Sequence, residues 1–493
     1  MILILYTLLA ILAIAAIALC RTHRQINTVS ILHGLFTLLL ALGIIFFVRI
    51  PTTSFVVGSE FFFIDHLGIY EVLIAAVIFT LAALYARGYV DSLLADGELE
   101  KGSLKLFYSA WSLLLLVLVL AFFSDNLALF WIFAELTTVI SAMLVAILSA
   151  RENIDAAIKY IFIASVSMLF SFVGLIFLFE ISRSVLGTGT LNWTDLIQHA
   201  SAFPAGLMIA CFVLVFIGLA AKSGIFPFHT WLPEAHAKAP SAVSAILSGV
   251  LLNVGIYGII RMFAIIHQTP AVGLASPILA LFGILSIGVA VFCMLPERNL
   301  KKLIAFSSIE NMGIMLVGLA VATPVAIFWV IFHVMAHAFT KASLFLSAGI
   351  LHRQYHSRFS GDAVDEIRDV FKYQPLAAWG IILGGLAIIG IPPFAVFFSK
   401  LFILLQLGTV SLPVLVLVLI LLFVAASAFG YFVITSFSQV STPDAPFDRE
   451  PYLTPSSMKI PVVILLFLIL VLGIWFPAGE ISFISQIVTE LRF

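Results

Sequence analysis

The residues able to do chemistry in this chain are charged side chains standing alone among apolar ones. Glu135 lies in LFWIFAELTTVISAMLVAIL. A lone carboxylate in hydrocarbon costs about 3 kcal/mol or more on insertion scales, so Glu135 must be protonated, hydrated or paired. Lys222 stands near the end of an apolar run that begins near Leu207 and offers a complementary charge. Burial favours a neutral amine, whereas an approaching carboxylate favours the ammonium. A lysine whose glutamate partner approaches or withdraws is therefore a proton site that switches. Breaking a buried pair costs several kcal/mol, and moving one charge through 100 mV is worth about 2.3 kcal/mol. Those scales match, so pair formation is able to gate proton uptake and release. The plainer alternatives are a neutral glutamic acid bonded to a neighbouring helix and a lysine that snorkels to the interface.

His333, His337 and Lys341 follow at intervals of four, which places all three on one helical face. Two histidines at this spacing also suit zinc, but HVMAH lacks a metalloprotease glutamate and shows no third ligand. A hydrated proton wire fits better, because imidazole titrates near neutral pH and passes a proton between its two nitrogens. The alternative is a pair of buried, hydrogen-bonded histidines beside a structural lysine. Lys400 sits in FFSKLFILL, whose apolar flank resembles neither a loop nor a headgroup anchor. Asn253, in SGVLLNVGIYG, cannot titrate but bonds water or a neighbouring helix. Glu310 in SSIENMG is open between helix packing and a proton path, and His229 and His236 are auxiliary candidates or interfacial loop residues.

These groups need helices to hold them. The chain has 493 residues, of which 63% are hydrophobic and 10% charged, the profile of a membrane protein. Windows of about 20 apolar residues predict fourteen spans: 2–20, 29–49, 66–86, 106–123, 126–149, 156–180, 205–226, 241–266, 272–295, 301–321, 324–350, 376–404, 411–439 and 460–478. Pro227, Pro233 and Pro240 interrupt the chain after Lys222, and Gly390-Ile-Pro-Pro-Phe394 interrupts it before Lys400. Proline removes a donor and clashes with the preceding turn, so neither helix passes through unbroken. Broken helices at membrane depth survive only inside protein or beside watery cavities.

The breaks fall in spans seven and twelve, five apart. Since five is odd, two such units lie upside down relative to one another, an architecture recurrent in transporters. The expected fold is all-α and integral to the membrane, with about 14 transmembrane helices and two inverted five-helix repeats. Its parts are helices 1–3 over 1–105, the first repeat over 106–267, the second over 268–440, and a C-terminal helix over 441–493. No loop is long enough to form its own core.

Of 24 basic residues, seventeen lie in the odd-numbered loops and their flanks, including Arg358 and Arg449. The even loops hold Arg49, Arg183 and Arg261. The bias places the odd loops in the cytoplasm and both termini outside. The apolar N-terminus lacks a basic leader and a cleavage site, so a retained first span is expected. Net charge is −1 without a basic run, which argues against nucleic acid. Cys20, Cys211 and Cys293 are far apart and form no CxxC, so no cluster, zinc site or disulfide framework is expected in this chain.

Several segments together resemble a known family. They are WIFAELTT, AAKSGIFPFHTWLPEAHAKAPSAVSAILSGVLLN, PERNLKKLIAFSSIENMGIM, FHVMAHAFTKASLFLSAG and GIPPFAVFFSK. The chain is similar, from about span three to span thirteen, to the antiporter-like proton-translocating subunits. These are shared by respiratory complex I, Mrp-type cation/proton antiporters and group 4 membrane-bound hydrogenases, including formate hydrogenlyase. The SGVLLN and SSIENMG segments look most like the hydrogenase-4 component F type. The resemblance implies that Glu135 and Lys222 are the family's glutamate/lysine pair, Lys341 its central lysine with His333 and His337 beside it, and Lys400 its terminal lysine. Asn253 departs, since related pumps commonly place a lysine or histidine there, although the same asparagine looks usual in the hydrogenase-4 type. The sequence after span fourteen is short, so the long lateral helix of the most distal complex I subunit is not expected.

By resemblance the chain is a proton-translocating subunit of a redox complex in a prokaryotic cytoplasmic membrane. It carries no redox site; iron–sulfur clusters, and NiFe in a hydrogenase, belong to partner subunits. Lipids, other membrane subunits and peripheral redox subunits are the expected partners. The alternatives are an Mrp-like Na+/H+ antiporter subunit, a scaffold that no longer pumps, and a membrane enzyme with its own metal site.

Overall fold

A computed structural model of the protein describes residues 2–48, 50, 61–148, 150–355, 367–440 and 451–493. Arg49, Arg358 and Arg449 of the charge-bias reading lie outside the described residues, as do the last residue of the predicted second and fifth spans and the first ten of the expected C-terminal part.

Among the described residues, thirteen helices are long and apolar enough to cross a membrane. Two shorter apolar helices, Pro375–Ile389 and Ala395–Val410, share the twelfth span. The spans among the described residues thus number fourteen. Several run beyond their hydrophobic windows, and at the second span a cap rather than hydropathy sets where the helix begins. The second starts at His23 rather than 29, where Thr22 and Gln25 form a capping box. Asp65, Asn126 and Asn299 cap the third, fifth and tenth spans, each side chain accepting from backbone N–H groups of the first turn. The third continues to Ala95, and the sixth runs over Arg151–Leu186.

Both breaks have the same local chemistry. The seventh span is helical over Ala205–Lys222, opens through Gly224 at φ +65, and resumes as Trp231–Lys238. The twelfth ends its first half at Ile389 and turns through Gly390 at φ +89. Positive φ is costly for any residue with a Cβ, which accounts for glycine at both turns. Residues 231–238 are therefore a helix, not the interfacial loop expected. Pro233 is tolerated there because the first-turn N–H groups of a helix lack intrahelical partners anyway.

Polar residues follow burial. The eighth span, Ser241–His267, is buried throughout, and the tenth (Leu300–Val321), eleventh (Pro324–Tyr355) and third (His66–Ala95) are nearly so. The eleventh span is the hub, packing against the third, eighth, tenth, fourteenth and both halves of the twelfth. The second half of the seventh span packs on the tenth, which ties the two five-span sets together. The eighth span contains a π-helical turn at Leu247–Leu251, a distortion found mostly at functional sites.

Two elements were not foreseen. Trp193–His199 is a short helix in a connector, and Ala478–Glu490 is a helix in what reads as a tail. The latter docks on the third and eleventh spans, where Glu490 bonds His66 at 2.6 Å. Arg261, counted among the loop cations, is instead buried in the eighth span. It pairs with Asp65 at 2.6 Å and stacks over Trp193 at 4.3 Å.

Candidate functional site: a row of buried lysines

Lys222, Lys341 and Lys400 are 1%, 0% and 4% exposed. Charges so deeply buried require partners, and each lysine has found different ones.

Lys222 donates to the hydroxyls of Thr137 at 2.6 Å and Thr138 at 2.7 Å, both on the fifth span. Glu135 on the same helix is turned to the sixth span, where it accepts a hydrogen bond from the Ser165 hydroxyl. Its second oxygen, Oε2, is buried without a partner. The expected Glu135–Lys222 contact is therefore not made in this structure. Hydroxyls satisfy the ammonium, and Ser165 holds the carboxylate away.

Lys400 makes the contact that Lys222 does not. It donates to Glu310 Oε1 at 2.9 Å and to the Ile388 carbonyl at 2.9 Å. The second bond follows from the break, because helix termini leave carbonyls without intrahelical donors. Glu310 Oε2 accepts from Asn311 Nδ2 at 2.6 Å, and Asn311 Nδ2 also donates to the Ser307 carbonyl at 2.7 Å. Both asparagine donors being committed, its Oδ1 accepts from His333 Nε2 at 3.1 Å. A neutral His333 then carries its proton on Nε2, leaving Nδ1 to accept at 2.7 Å from the Ser399 hydroxyl, whose one hydrogen is shared with the Val396 carbonyl at 3.0 Å. The run Lys400, Glu310, Asn311, His333, Ser399 is one connected polar network across the tenth, eleventh and twelfth spans.

Lys341 donates to the Ser307 hydroxyl and to the Ile304 carbonyl, the latter at 2.6 Å. The adjacent Ser308 bonds Ser248 at 2.9 Å, which connects the tenth span to the π-helical turn of the eighth. His337, stacked on His333 with ring centroids 6.4 Å apart, is fully buried, and neither ring nitrogen has a protein partner. The same is true of His236, whose ring stacks at 4.4 Å on Phe345, one turn beyond Lys341. These two imidazoles flank Lys341 from the eleventh span and from the second half of the seventh. His229 remains in the break, stacked on Phe226.

Asn253 is fully buried and donates to Glu71 Oε2 at 3.2 Å. Glu71, Asn311, Ser165, Thr137 and Thr138 did not stand out in the sequence. Glu71 alone carried a detectable signal, as the one carboxylate inside the predicted third span. Among the described residues, no group of three or more His, Cys, Asp or Glu is placed to hold a metal ion.

Residues 124–430 match the family described as NADH:quinone oxidoreductase/Mrp antiporter, TM. A hydrogenase-4 component F homolog of Methylacidiphilum infernorum (isolate V4) is 32% identical over 406 residues, which cover 81% of this chain and 82% of that one. Hydrogenase-4 component B of Escherichia coli (strain K12) is 29% identical over 348 residues, 68% of this chain but 49% of that relative. A chain from the structure of the membrane-bound sulfane sulfur reductase, an archaeal respiratory membrane complex, has the same fold. Its TM-score is 0.86 at 21% identity, covering 99% of this chain and 96% of that one. The chain belongs to the NADH:quinone oxidoreductase/Mrp antiporter transmembrane family. It is a multi-pass, antiporter-like membrane subunit of a multi-subunit complex, with other membrane subunits for partners.

Proposed function

We propose that this subunit carries protons along its buried lysine row, driven by electron transfer elsewhere in the complex. The observation that carries this reading is the set of three buried lysines, each held by exchangeable partners. A carboxylate holds Lys400, hydroxyls hold Lys222, and a hydroxyl and a carbonyl hold Lys341. Glu135 modulates Lys222, Lys341 relays with His333 and His337, and Lys400 exchanges protons with one side. Asn253 passes protons through water, and Glu310, His229 and His236 are auxiliary. Spans four to eight and nine to thirteen act as two inverted units within the 106–267 and 268–440 boundaries.

The complex is of the group 4 [NiFe] hydrogenase or formate hydrogenlyase type, or complex I-like, with iron–sulfur clusters and any NiFe centre in peripheral partners. The membrane is the prokaryotic cytoplasmic membrane, with both termini outside. Protons are favoured over Na+ because lysines repel cations and Glu310 is already held by Lys400. The test is Lys222→Ala in the assembled complex, with proton translocation and electron transfer measured together in sealed vesicles. Loss of translocation with electron transfer retained is the expected result. Unchanged translocation would favour a scaffold.

A further inference from the structure

Glu71 is a buried carboxyl that the lysine row does not use. It is 1% exposed, on the third span, outside both five-span sets. Its Oε2 accepts from Asn253, but its Oε1 and the Asn253 Oδ1 are both buried without any donor. Two orphan acceptors on one contact mark a site short of a hydrogen, which a proton on the carboxyl or a bridging water would supply. The helix that brings Asn253 here is the one distorted by the π turn at Leu247–Leu251. That same turn reaches the Lys341 network through Ser248 and Ser308.

Position along the third span gives the carboxyl a direction. Asp65, at the start of this helix, is sealed in its ion pair with Arg261. Glu71 lies six residues further in, about 9 Å at 1.5 Å per residue. It thus stands between the row, touched at Asn253, and the face carrying the even loops. The terminal helix covers that end. Phe483 stacks on Tyr70 at 6.3 Å, and Glu480, one turn earlier, keeps a buried Oε1 without a partner.

We propose that Glu71 is a proton-exchange site linking the lysine row to the even-loop face. It takes a proton on Oε1 from water at Asn253 and releases the same proton outward past Tyr70 and Glu480. The carboxylate becomes a neutral acid and then a carboxylate again. Only an O–H bond forms and breaks, and Asn253 keeps its own hydrogens.

This inference rests on the proton-carrying reading, and the test separates the two. Glu71→Gln, Glu71→Asp and Lys341→Ala are compared in the assembled complex in sealed vesicles, reading protons moved per electron. Glutamine preserves shape and the Asn253 contact but cannot ionise, so a merely structural carboxyl would be replaced without loss. The expected result is a fall to about half or less in Glu71→Gln with electron transfer retained, and partial recovery in Glu71→Asp. Normal translocation in Glu71→Gln, with Lys341→Ala inactive, overturns the Glu71 site and leaves the general reading standing. Normal translocation in both overturns the general reading and this site with it. Should Glu71→Gln fail to assemble, Asn253→Leu carries the same expectation, and full activity in it overturns the proposal.

Discussion

The two five-span sets hold the same pair of groups in opposite arrangements. Each places a glutamate on its second helix and a lysine beside the break in its fourth. In the second set Glu310 and Lys400 touch at 2.9 Å, whereas in the first Lys222 is held by Thr137 and Thr138 while Glu135 is held by Ser165. The difference teaches that an ammonium and a carboxylate in this fold each have a second home. Exchange between a charge–charge contact and hydroxyl contacts is the kind of bistable element that a distant event is able to bias. Pair breakage and a membrane potential act on the same scale, a few kcal/mol per charge.

The largest expected effect comes from breaking the closed pair. Glu310→Gln leaves Lys400 buried without a counter-charge, which destabilises by about 3–5 kcal/mol. Thermal unfolding of the purified complex should show the loss, and Glu310→Gln with Lys400→Met should recover most of it. Recovery of stability without recovery of proton movement would separate packing from transport.

A smaller effect is expected in the open set. Thr137→Val with Thr138→Val removes both acceptors of Lys222, and the cost of about 1–3 kcal/mol per unmet group is largely offset by the Glu135 carboxylate nearby, whose Oε2 is buried without a partner. The lysine should then move to Glu135, making the first set resemble the second, and a structure of the double variant checks it. Glu135→Gln removes no ion pair and should cost about 1 kcal/mol or less, yet it should impair translocation. Equal destabilisation by Glu135→Gln and Glu310→Gln would erase the comparison.

How much of this was legible follows from how loud each residue is. A charge in an apolar run is conspicuous, so Glu135, Lys222, Lys341 and Lys400 stood out, as did the prolines that break their helices. The spacing of His333, His337 and Lys341 placed them on one face before any coordinates. Hydroxyls are unremarkable in transmembrane helices, which hid Thr137, Thr138 and Ser165 although they decide where the charges rest. Asn311 was hidden beside Glu310, and the Glu310–Lys400 pair spans 90 residues of sequence. Glu71 is the one carboxylate in its predicted span, but its partner Asn253 lies 182 residues away in sequence. The terminal helix was missed because its apolar stripe is short and becomes meaningful only against the third span.

The smallest effect concerns that terminal helix, outside both sets. Burial pushes the Glu480 carboxyl up to about 7 from its ordinary 4.5. The docked helix then binds more protons than the undocked one between those values, so docking weakens as pH rises through that window. Hydrogen exchange of residues 478–490 should be less protected at pH 8 than at pH 5 after correction for intrinsic rates, and Glu480→Gln should reduce the difference.

Lys341 lies on the hub span, bonded to the tenth, and its removal is the most direct trial of the buried row. Protons moved per electron should be measured in sealed vesicles holding the complex with Lys341→Ala. A fall of at least about tenfold, equivalent to about 1.4 kcal/mol, with electron transfer continuing, is the expected result. Wild-type proton movement in that variant would contradict the role assigned to the row.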